Sequence, residues 1–199
     1  MKGRVISNIT PQQKIVGVNN KFGNTNIKNQ QGTTRVLFDS LPLDGTTELR
    51  FFENSASRQY PFTNVGAEGN RLNVGETFVV QKVYFGVILT DADTGSYANF
   101  ETLNTHGVSN WGNGEWSFLI ANSQVIKQLP FESCFQQSLA VTAVNGNDEA
   151  FSTFTDIVIP PLLEFVLTYR IPTYTPEENA RLVCFIEGTA GILAPQTTF

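Results

Sequence analysis

Leu163-Glu164-Phe165-Val166-Leu167-Thr168-Tyr169-Arg170-Ile171 is the stretch that decides the fold. Leu163, Phe165, Leu167, Tyr169 and Ile171 fall on one side of an extended chain, and Glu164, Val166, Thr168 and Arg170 on the other. Side chains alternate across a strand with period two, so this segment reads as a strand with one face on a core. Upstream, Trp116, Phe118 and Ile120 alternate with Ser117, Leu119 and Ala121, and a turn at Asn122-Ser123 leads into Val125-Ile126 and Leu129-Pro130. Phe78 to Leu89 is apolar on both faces apart from Gln81 and Lys82, which predicts a central strand covered on both sides.

Further runs are Val36-Leu37-Phe38, Leu49 with Phe51 and Phe52, Leu139 to Val144, Leu182 to Ile186, and Ile192-Leu193. Asn145-Gly146 after Val144 is a hairpin signal. Pro42 to Gly45 reads as a turn, 54–75 and 91–114 as loops, and Pro176 to Ala180 as a single helical turn. About eight to ten short strands with no long helix predict an all-β, antiparallel jelly-roll sandwich or barrel. An immunoglobulin-like sandwich would be nearer ~100 residues. The absence of internal duplication argues against a double jelly roll.

The 199 residues divide into a basic, Asn/Gln-rich arm over 1–34 and a β domain over 35–199. Lys2, Arg4, Lys14, Lys21, Lys28 and Arg35 are the charges of the first 35 residues, which contain no acid, a net of +6. The remainder sets seven Lys and Arg against all eighteen acids, a net of −11. Such an arm can contact phosphates of a genome, anionic headgroups of a membrane, or a neighbouring subunit. No apolar run of ~18 residues is present to span a membrane as a helix. Asn8, Thr10, Pro11, Gln12 and Gln13 interrupt any signal-peptide core. Cys134 and Cys184 read as reduced, buried thiols, and their spacing does not argue a disulfide.

The residue types point away from an enzyme. His106 is the single histidine, in a loop and without a G-x-S-x-G elbow, so it reads as a surface residue. One His cannot build the multi-histidine metal site of a cupin. Asp91, Asp93 and Glu101 resemble the start of a calcium loop, but Gly95 is fifth and Glu101 eleventh where an EF-hand has them sixth and twelfth. An ordinary Asp/Gly turn is favoured there. Glu132, Asp148, Glu149, Glu177 and Glu178 read as solvated loop carboxylates rather than a glycosidase pair. Trp116 falls on the core side by parity, leaving Trp111 as the aromatic that could meet a sugar. No catalytic residue and no cofactor are expected.

Phe51-Phe52-Glu53, Arg58 to Asn64, Leu72-Asn73-Val74-Gly75-Glu76 and Arg181 to Gly188, behind the acid-free arm, resemble virion structural proteins of tailless bacteriophages with jelly-roll shells, including lipid-containing ones. The resemblance covers about half the chain. It implies a capsid protein that self-assembles into an icosahedral shell, with copies of itself and other virion proteins as partners. It also implies a location in the virion, after assembly in the host cytoplasm. The chain is shorter than the double jelly rolls common in lipid-containing shells, and it lacks the long helix of tailed-phage shell proteins. A second expectation is a phage fibre-head, spike or lectin-like module that meets carbohydrate through loops 91–114 and 145–150.

Overall fold

The computed structural model describes residues 30–54, 58, 60–65, 70–90, 97–101, 114–130, 151–172 and 179–193. Among them are nine strands and no helix: β1 (Gln30–Pro42), β2 (Glu48–Phe51), β3 (Thr77–Thr90), β4 (Tyr97–Glu101), β5 (Glu115–Ile120), β6 (Ser123–Pro130), β7 (Phe151–Ile159), β8 (Phe165–Arg170) and β9 (Ala180–Leu193). They form two antiparallel sheets. Sheet A has the order β1-β9-β3-β4, with β7 also paired to β3, and sheet B has the order β2-β8-β5-β6.

The pairing is nested. β1 pairs β9, β2 pairs β8, β3 pairs β7, and β5 pairs β6, so the chain behaves like one long hairpin folded over on itself. β4 adds to the C-terminal half of β3.

The alternation explains which faces meet. In sheet B the inward rows are Leu49–Tyr169–Trp116 and Phe51–Leu167–Phe118, every one at most 4% exposed. In sheet A they are Leu37–Ile186–Val83 and Asp39–Cys184–Phe85. Phe85 bridges the layers, its ring centroid 6.0 Å from that of Phe51, 6.2 Å from Trp116 and 5.5 Å from Tyr169. Aromatic rings bury much area and favour such tilted and edge-to-face contacts, so the inward-facing Phe51, Phe85 and Phe118 help to cement the two sheets.

β3 is central, as its two-sided apolar run predicts: Val79 and Ile88 point away from the core row and are still buried. Two strands depart from the sequence reading. β4 lies inside the stretch 91–114 read as loop, and β7 follows the Asn145-Gly146 hairpin signal without an alternating run of its own. Ser152, Thr153, Thr155 and Asp156 break the apolar pattern of β7, and its place is set by the ladder to β3, which shifts register between Val80 and Lys82. A backbone ladder of this kind leaves little trace in local composition. The arm boundary differs too: Gln30 to Thr34 are strand, paired with Leu193 to Thr189. The run 139–144, the Asn145-Gly146 turn and most of 176–180 lie outside the described residues.

Candidate functional site

The outer face of sheet A carries an aromatic row. Phe38, Phe185 and Tyr84 are register partners across β1, β9 and β3. Tyr84 stacks on Phe185 at 4.9 Å and 18°, and Phe38 lies 6.1 Å from Phe185. All three are half-buried. Burial first, and the Glu187 carboxylate second, push the Tyr84 phenol above its ordinary value, so the row is neutral at physiological pH.

The free edge of β1 is closed by residues 62–64. Ser40 N–H donates to the Phe62 carbonyl at 2.9 Å and Asn64 N–H to the Phe38 carbonyl at 3.2 Å. The Asn64 side chain continues this ladder, accepting from Phe38 N–H at 2.8 Å and donating to the Val36 carbonyl at 2.6 Å. An exposed edge invites uncontrolled pairing, and here it is covered by the chain's own loop. Arg181 lies over the Phe62 ring at 4.4 Å and donates to the Ser40 carbonyl at 2.8 Å, fixing that loop to β9.

The outer face of sheet B is polar and holds a groove of about 290 Å³. One row is Glu48–Arg170–Glu115, the next Arg50–Thr168–Ser117. Arg170 sits 3.0 Å from Glu48 and 3.7 Å from Glu115, and Arg50 sits 2.9 Å from Glu53. Trp116, Leu119, Gln124 and Gln128 complete the lining. A second hollow of about 460 Å³ shares Glu48, Glu115 and Arg170 and extends past Ile171 and Pro172.

The residues singled out from sequence fall mostly elsewhere. Lys2, Arg4, Lys14, Lys21 and Lys28 lie outside the described residues, as do Asp91, Asp93, His106, Trp111, Cys134 and the carboxylates Glu132, Asp148, Glu149, Glu177 and Glu178. Glu101 is on β4, paired to Val87. Arg35 lies within β1 and holds Glu76 at 3.1 Å. Trp116 is 1% exposed, on the core side as parity predicts. Among the described residues no three His, Cys, Asp or Glu converge as a metal site would require. The groove on sheet B escaped the sequence reading because its residues come from four strands that only the sheet brings together. The one local signal was the polar parity of Ser117, Thr168 and Arg170. Compared with known proteins, the chain matches no family model, and neither a curated protein nor a solved structure resembles it significantly.

Proposed function

We propose that this protein is a virion structural protein of jelly-roll type that assembles with copies of itself into a capsid shell. The observation that carries the reading is the nested pairing of β1 with β9, β2 with β8, β3 with β7 and β5 with β6. Such nesting in two sheets, with β4 as an addition, supports an eight-strand jelly-roll plan. Fold alone does not specify function, so the reading draws equally on the surface and the arm.

Three features support it. Charged residues are only 16% of the chain, which suits a domain that buries outer surface against neighbours. The half-buried row Phe38–Phe185–Tyr84 faces outward from sheet A, away from the core. Residues 1–29 bring five cations and no acid to a body whose net charge is negative, so the arm is attracted to a neighbouring subunit as well as to phosphate. The arm joins β1 at the end of the sandwich where β3 and β8 begin and β7 and β9 finish.

Electron microscopy and light scattering of the full chain, beside a chain lacking residues 1–29, test the proposal. The full chain forms closed shells. The truncated chain keeps the melting temperature of the β domain and fails to close them. A full chain that stays monomeric across protein concentration and salt overturns the reading.

A further inference from the structure

We infer that the groove on the outer face of sheet B is a binding site for a neutral, hydroxyl-rich ligand, a carbohydrate. This is independent of shell assembly and of the loops 91–114 and 145–150. Its floor is the pair Thr168 and Ser117, side by side on β8 and β5. Thr168 is 8% exposed, yet its hydroxyl makes no hydrogen bond among the described residues. That hydroxyl lines an open groove, where a ligand hydroxyl able both to donate and to accept can pair with it.

The walls decide the class of ligand. Arg50 and Arg170 present guanidinium donors, and Glu48 and Glu115 present carboxylate acceptors. Two cations and two anions leave the lining with no net charge. Arg170 is already held between Glu48 and Glu115, and Arg50 is held by Glu53. An anion such as phosphate or a sialic acid therefore meets cations whose field is cancelled, beside carboxylates that repel it. An apolar ligand would strand the whole polar lining without water. A sugar ring matches donors and acceptors at once, and its C–H face has Leu119 to rest on. The neighbouring hollow, joined through Glu48, Glu115 and Arg170, gives room for a second residue of an oligosaccharide.

The test uses the full chain, the variants Thr168→Val and Ser117→Ala, and an array of neutral and acidic oligosaccharides, followed by calorimetric titration with the best-bound neutral one. Val keeps the β-branched shape of Thr168, so melting temperatures are expected to stay within a few degrees and any loss of binding to reflect the hydroxyl. The expected result is selective capture of neutral glycans, with affinity reduced at least about tenfold in each variant. Three results overturn the inference: no neutral oligosaccharide bound at millimolar concentration, preference for acidic glycans, or an unchanged affinity in Thr168→Val. A synthetic peptide of residues 1–29 is titrated in parallel. If that peptide binds in a Thr168-dependent manner and no glycan does, the groove receives the arm of another copy and the carbohydrate assignment fails.

Discussion

Asp39 lies wholly buried on β1 and receives the Arg58 guanidinium twice, from Nε at 3.1 Å and from Nη2 at 2.5 Å. The same carboxylate accepts Phe52 N–H at 2.5 Å, and Arg58 also donates to the Glu53 carbonyl at 3.2 Å. One acidic side chain inside the sandwich thus anchors both the end of β2 and the loop beyond it. Charge-assisted, bidentate geometry makes this a strong anchor, although removing the pair from water is costly.

Arg58→Ala should destabilise the domain by about 3 kcal/mol near neutral pH, because it leaves a buried carboxylate without its counter-charge. Asp39→Asn, which retains an oxygen for Phe52 N–H, should cost about half as much. Burial already raises the Asp39 carboxyl above its ordinary value, against the lowering effect of Arg58. The native state therefore binds this proton more readily than the unfolded chain, and the contribution of this group falls as pH rises through that window. Without Arg58 the rise is larger, so the deficit of Arg58→Ala should shrink between about pH 7 and about pH 4. Urea unfolding at both pH values measures it, and an equal deficit at both contradicts the account.

Gly188 sits where β9 crosses the register shift of β3, paired with Val80 and Arg35. A Cβ there would lie 2.0 Å from the Val79 carbonyl oxygen and 2.9 Å from Phe78 Cζ. The obstacle is backbone, which cannot swing aside. Gly188→Ala should cost about 3 kcal/mol or more, read as a large fall in urea midpoint or as loss of soluble protein. A midpoint matching wild type would show that the two strands separate there at little cost.

Phe85 touches rings of both β2 and the β5–β8 pair. Phe85→Ala should cost ~3–5 kcal/mol, since the cavity opens between two layers that cannot collapse together independently. Phe85→Leu should recover much of it. Chemical denaturation of the three proteins distinguishes this packing role from a merely local one.

The ion pairs on the outer face of sheet B should matter little for stability. Arg170 is 53% exposed and its partners Glu48 and Glu115 are 41% and 43% exposed, so water screens the network. Arg170→Ala should change unfolding free energy by less than ~1 kcal/mol, and less still at high salt. A larger loss measured by urea unfolding would mean that Arg170 packs its alkyl stem on the sheet.

The alternating runs around Trp116–Ile120 and Phe165–Ile171 were legible because each strand buries one face, and period two then writes burial directly into residue order. Both runs point inward where expected: Trp116, Phe118, Phe165, Leu167 and Tyr169 are at most 1% exposed. β7 was illegible for the opposite reason. Its polar Ser152 and Thr153 are held by hydrogen bonding to β3, with the Thr153 hydroxyl donating to the Val80 carbonyl at 3.0 Å. Asp39 lies within β1, its charge tolerated inside because Arg58, nineteen residues away, reaches it.

Residue order by itself determined the class of secondary structure, the faces that go inward and the division of charge between the first 35 residues and the rest. These are local quantities, set by side-chain period and by summed charge. Tertiary structure alone decided that the strands nest first with last, that loop 62–64 seals the edge of β1, and that Thr168 and Ser117 share a groove floor with Arg50, Arg170, Glu48 and Glu115 around it. Hydrogen-bond ladders join residues more than a hundred positions apart, as between Glu48 and Arg170, and backbone groups pair without regard to the side chains they carry.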